Sequence, residues 1–154
     1  MAELVFQTAF TNQSQAIVLI CEYGANANEN AMTFLLTGCC YRMSRLLGLD
    51  HAQDGHQVHD ASQACDEESR RRLVWSCFIL DSIVSSGVDA NSSWKDSYPK
   101  IPLPVPDTDF VSQNASRVRN SLTLEMYDGR GKELSLDVRS QTIYLVHLRT
   151  RVLG

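Results

Sequence analysis

The chain has 154 residues, 44% of them apolar, and fourteen basic against eighteen acidic side chains leave a net charge of −4. That length fits one domain burying roughly two-thirds of its unfolded surface. The acidic balance argues against autonomous nucleic-acid binding, which draws its affinity from positive charge meeting phosphate.

In chain order, residues 13–23 (QSQAIVLICEY) predict a short apolar helix that stops near Gly24. The GANANEN turn follows, and Asn28 or Asn30 is expected to cap a second helix over 31–47. Met32, Leu35, Leu36, Cys39, Met43, Leu46 and Leu47 form its broad apolar face, and Gly48 supplies the stop. The two helices read as an antiparallel hairpin. Residues 50–66 are polar and read as a solvated, mobile loop.

The segment EESRRRLVWSCFILDSIVSSG (67–87) is the most informative in the chain, and its helix is expected to begin near Asp66. Leu73, Cys77, Leu80 and Val84 share one stripe, while Trp75, Phe78, Ile79 and Ile83 widen the apolar surface. A helix apolar on so many sides is a central packing element. Glu67 and Glu68 sit at the positive end of its dipole, facing Arg71 and Arg72 at i,i+4 spacing. Arg70–Arg72 beside two glutamates read as a solvated helix entrance, and the three arginines point in different directions.

Beyond Gly87 all four prolines fall within 99–106, which forbids helix and favours an extended strap. Ile101, Leu103 and Val105 alternate with them, so one side of the strap is expected on apolar surface. Residues 111–136 are weakly patterned, with YDGRGK as a turn. A last helix is predicted over 137–154, from Asp137 as cap through Ile143, Val146 and Leu148. The class is all-α with long loops.

Candidate sites are few. Asp81 interrupts the apolar run, where an unpaired carboxylate would cost several kcal/mol, so a buried ion pair with Arg42 or Arg45 is expected. His51, His56 and His59, with Asp54 and Asp60, form a loose metal-ligand set that a flexible loop holds poorly. His147 is expected on the helix surface or in the core. The five cysteines (21, 39, 40, 65 and 77) contain no C-x-x-C and read as reduced packing residues, with no metal or cofactor site in this chain. Gly129–Lys132 lacks phosphate-loop spacing, and no nucleophile–base motif appears. No run of about 18 apolar residues exists to span a membrane. The N-terminus lacks secretion-signal character, so an intracellular setting is expected. The three N-x-S/T triplets then mean little.

The order of these pieces carries a resemblance. A helix ending in EYG precedes NENAMTFLLTGCCYRMSRLLGLD, a polar loop, EESRRRLVWSCFILDSIVSSGVD and IPLP. This resembles the fungal-specific transcription factor domain, the middle homology region of fungal zinc-cluster and zinc-finger regulators. The family's "slGL" step, its acid–arginine–aromatic–"LD" pattern and its I-x-LP segment correspond to Leu46–Leu49, Glu67–Asp81 and Ile101–Pro104. The resemblance covers about residues 13–110 and implies a partial regulatory domain, an excised or truncated middle piece or a degenerate gene product. It implies a nuclear, non-enzymatic regulatory region, with zinc only in a DNA-binding module that this sequence does not contain. Expected partners are that module, other transcription-regulatory proteins and a small-molecule effector, with no direct contact to nucleic acid or membrane. The alternative reading is a stand-alone helical module binding a small molecule or a protein. A third is a helical enzyme using Asp81 or a loop histidine as its acid.

Overall fold

The computed structural model describes residues 2–51, 61–85, 91–94, 98–113, 122–130 and 137–153. They form six helices: α1 (Ala2–Asn26), α2 (Asn30–Leu46), α3 (Ala61–Val84), α4 (Asp107–Val111), α5 (Leu124–Arg130) and α6 (Val138–Leu153). Among the described residues there is no strand, only two isolated bridges, His51 to Lys100 and Pro102 to Thr123. The all-α expectation holds.

α1 is longer than the sequence suggested at both ends. No glycine or proline precedes Gly24, and Gly24 itself does not stop the helix. It is the crossing point with α2, where a Cβ would lie only 2.5 Å from Thr33 Oγ1. The stop comes four residues later, at Asn28, whose φ of 63° is left-handed. Glu29 N–H then donates to Gly24 C=O at 2.8 Å, and Asn28 N–H to Ala25 C=O at 3.4 Å, the paired bonds of a Schellman ending. Neither Asn28 nor Asn30 caps α2; Glu29 occupies the cap position without a side-chain bond. α2 ends the same way at Gly48, with Leu49 N–H on Ser44 C=O at 2.9 Å and Gly48 at φ 62°. That stop agrees with expectation.

The α2 face is a correction. The side turned inward is Thr33, Thr37, Cys40 and Ser44, small residues at spacings of four, three and four. Of the expected apolar face, Leu47 is buried and Leu36 packs partly against the core shared with α3, but Leu35 is 68% and Leu46 70% exposed. Small side chains let α1 and α2 approach closely, and Thr33 and Thr37 turn their hydroxyls back to Glu29 and Phe34 carbonyls at 2.9 Å. Their polar atoms are satisfied locally, so burying them costs little. Gly24→Ala is expected to destabilise the fold by about 1–3 kcal/mol through overpacking. Urea denaturation of Gly24→Ala, Thr33→Ala and the double variant should show coupling; strictly additive losses would place the strain elsewhere.

α3 separates two cores, as its broad apolar surface predicted. Leu73, Cys77 and Leu80 pack with Val18, Cys21 and Cys40 of the hairpin. Val74, Trp75 and Phe78 pack on the other side with Trp94, Ile101, Leu103, Leu124 and Ile143. α3 begins at Ala61, five residues before the expected Asp66; Ala64 is buried against Val105 and Phe110, which gives that extra turn its tertiary support. Residues 61–66 of the supposed loop are therefore helical, while 52–60 lie outside the described residues.

The proline strap lies on apolar surface, as expected, and Ile101 and Leu103 pack into the core beside α3. Ile101, Leu103 and Val105 are all buried, and its backbone bonds run to several elements. Lys100 N–H donates to Asp50 C=O at 2.7 Å and Leu103 N–H to Leu122 C=O at 2.6 Å. Ser140 Oγ–H donates to Pro104 C=O at 3.2 Å. Prolines lack the N–H that would otherwise need a partner, so an extended segment can sit inside with few bonds. Tyr127–Arg130, expected in a turn, belong to α5. α6 starts as predicted, Asp137 Oδ1 accepting from Ser140 N–H at 3.1 Å.

Candidate functional site

The densest polar cluster lies where the start of α3 meets the strap. Glu68 is 0% exposed. Its Oε2 accepts from Arg71 Nη1 at 3.0 Å, and its Oε1 from Arg72 Nε at 2.8 Å and from Val105 N–H at 3.0 Å. Arg72 continues to Val105 C=O at 2.8 Å and to the Asp107 carboxylate, and its guanidinium stacks over Phe110 at 4.2 Å. Glu67 stays half-exposed, 3.8 Å from Arg71. The i,i+4 pairs foreseen from the sequence are thus present.

The solvated entrance is not. Arg71 is 5% exposed, and the charges turn inward to fasten the strap. Burial pushes the Glu68 carboxyl above its ordinary value, against the opposing pull of both arginines and the Val105 amide. Burial likewise lowers Arg71, against Glu68 and Glu67. Despite the cost of burial, Arg72 is held up by Glu68 and Asp107. The short three-donor geometry around one carboxylate fits the ion-paired state.

Trp75, Phe78 and Leu80 occupy the two cores flanking α3. Trp75 is fully buried and donates its Nε1–H to Pro102 C=O at 2.8 Å, a second bolt between α3 and the strap.

Asp81 is buried, but it meets neither Arg42 nor Arg45. Its Oδ2 accepts from Ser92 Oγ–H and from Ser93 N–H, both at 2.8 Å. Ser92 Oγ in turn accepts from Trp94 N–H at 3.2 Å. Trp94 then meets Tyr41 edge-on at 4.8 Å and Phe78 at 6.2 Å. Asp81 therefore orients an aromatic side chain through a serine turn. A carboxylate given two neutral donors is stabilised without a guanidinium. Arg45 pairs with Asp50, and Arg42 is exposed on α2. Asp81→Ala is expected to cost about 1–3 kcal/mol, since it strands the Ser93 amide. Double-mutant cycles should couple Asp81 to Ser92 and not to Arg45; coupling to Arg45 alone would reverse this assignment.

Asp50, read as part of a solvated loop, is buried and receives Arg45 at 2.5 Å and His51 Nδ1 at 3.1 Å. Nothing local marks it; its burial follows from the strap passing over the end of α2. Of the loose metal-ligand set, only His51 is described; Asp54, His56, His59 and Asp60 lie outside the described residues. Among the described residues no three His, Cys, Asp or Glu side chains converge on a metal position. His147 is buried with its ring 4.7 Å from Tyr98. Gly131 and Lys132 of the phosphate-loop-like stretch also lie outside the described residues.

A cavity beside the strap, lined by Tyr98, Lys100, Thr123 and Glu125, holds about 40 Å³. That is room for a few waters, far below an organic ligand site. Lys100 reaches Glu125 at 2.6 Å and sits over the Tyr98 ring at 3.8 Å. No described helix is long and apolar enough to cross a membrane.

The charged start of α3 is spent on internal fastening, while large apolar side chains remain on the outer face of the hairpin. The fungal specific transcription factor domain matches residues 2–149, so the chain belongs to that family and is a regulatory region of a fungal transcription factor. The Zn(2)-C6 fungal-type transcription factor FTF1c of Fusarium oxysporum f. sp. lycopersici is 37% identical over 65 residues, 42% of this chain and 6% of its own length. FTF1a of the same organism is 48% identical over 40 residues, 26% of this chain and 4% of its own length. An uncharacterized transcriptional regulatory protein of Schizosaccharomyces pombe, PB1A11.04c, is 24% identical over 132 residues, 80% of this chain and 18% of its own length. The chain thus spans less than a fifth of these relatives. No solved structure matches it.

Proposed function

We propose that the chain is a non-catalytic protein-contact platform within a nuclear fungal regulator. It controls a DNA-binding module by packing, and holds no cofactor of its own. Zinc belongs to that module. The observation that carries this reading is the outer surface of the hairpin. Tyr23 is 73% exposed, and Leu19, Leu35 and Leu46 are nearly as open. Large exposed apolar side chains suit protein contacts. Arg71 and Arg72 turn inward to the strap and are not presented to phosphate, and the net charge of −4 also favours indirect action on DNA. The effector-binding alternative finds no support in the cavity beside the strap, which is too small for an organic ligand.

The test uses a full-length regulator carrying this chain. Replacing Leu19, Tyr23, Leu35 and Leu46 together with serine should change reporter output, while the melting temperature of the isolated chain and DNA affinity of the module alone stay as they were. Unchanged output from a folded variant would reject the platform. A melting rise of the parent chain with a small-molecule fraction would favour the effector-binding reading instead.

A further inference from the structure

Three thiols meet where α1, α2 and α3 pack. Cys21, Cys40 and Cys77 are each 1% exposed or less and share one buried cluster. They are not equivalent. The Cys21 sulfur is directed to the Thr33 carbonyl, 4.0 Å away on α2. Cys40 and Cys77 interact directly with each other across the α2–α3 interface. Cys40 is one of the small residues that α2 turns inward, and Cys77 lies on the face of α3 that packs against the hairpin; a disulfide between them needs Cα atoms about 4.4–6.8 Å apart.

We propose that Cys40 and Cys77 are an oxidation site, which a hydroperoxide converts into a disulfide stitching the hairpin to the central helix. One thiolate of the pair attacks the peroxide; the O–O bond breaks, that sulfur becomes a sulfenic acid, and water (or an alcohol) leaves. The other sulfur then displaces the sulfenic oxygen as water, so two thiols lose two electrons and two protons to one peroxide. The Cys77 hydrogen bond holds the Cys40 thiol below its ordinary value against the effect of burial, while Cys77 is pushed well up by that same contact and by burial. Cys21, raised to about 11 chiefly by burial, stays a thiol. Because both partners are sealed from solvent, reaction follows local opening of the hairpin. Exposed Cys39, next in sequence but on the outer face, is oxidised first without entering the bond.

The test treats the purified chain with hydrogen peroxide, then alkylates free thiols and maps non-reducing digests by mass. The expected result is loss of two hydrogens and a Cys40–Cys77 linkage, formed equally in Cys21→Ser and Cys39→Ser. The bond should form faster in sub-denaturing urea and raise the melting temperature by about 10 °C. Cys40→Ala and Cys77→Ala should each abolish it. Linkage of Cys77 to Cys21 or Cys39, dimers through Cys39 alone, or no bond after Cys39 is fully oxidised would each overturn the proposal. The unmodified chain supplies the main readout, so it stands even if a buried alanine variant fails to fold.

Discussion

Glu68→Ala is expected to lower unfolding stability by about 3–5 kcal/mol, the range for breaking a buried ion pair from one side. The substitution removes a fully buried acceptor shared by Arg71, Arg72 and the Val105 amide at once. Glu68→Gln keeps an acceptor and should lose less. Glu67→Ala, at a half-exposed partner 3.8 Å from Arg71, should stay within about 1 kcal/mol. Urea midpoints at constant m-value make the comparison. Equal shifts for Glu67→Ala and Glu68→Ala would mean that the inward cluster contributes no more than a surface pair. Against a total stability of about 5–15 kcal/mol, the expected loss brings the domain close to unfolding.

Trp75→Ala is the second large effect, about 3–5 kcal/mol, from a cavity in the core facing the strap. Two mechanisms are separable here. Trp75→Phe keeps most of the ring volume but withdraws the Nε1–H from Pro102 C=O. It should cost about 1–3 kcal/mol through the stranded carbonyl. Both variants should also increase amide hydrogen exchange at Ile101 and Leu103 before that in α1, because the bolt joins α3 to the strap. Equal acceleration in α1 would mean that the two cores open as one unit.

Much of the fold is legible along the chain where the controlling chemistry is local. Gly48 ends α2 because it accepts a left-handed φ, and Asp137 starts α6 because its carboxylate reaches Ser140. Clustered prolines forbid helix wherever they fall. The candidate site was half legible. The pairing of Glu67 and Glu68 with Arg71 and Arg72 follows from helical spacing, but its burial does not, because the strap that covers it arrives from 33 to 37 residues away, as Val105 and Asp107. Asp81 shows the same divide: the apolar run predicts a partner, yet Ser92 and Ser93 lie in a turn that hydropathy does not mark.

The amino-acid sequence alone determined the class, the central role of α3, the strap and the order of pieces that marks the family. Those depend on periodicity, proline geometry and short-range spacing. Only the tertiary structure decided which face of α2 turns inward, which donors satisfy Asp81, and that the charged start of α3 is interior. Helix hydrophobicity sets how much surface should be buried. Close packing against Gly24, and an extended strap needing few hydrogen bonds, decided that Thr33, Thr37, Cys40 and Ser44 lie inside while Leu35 and Leu46 stay out.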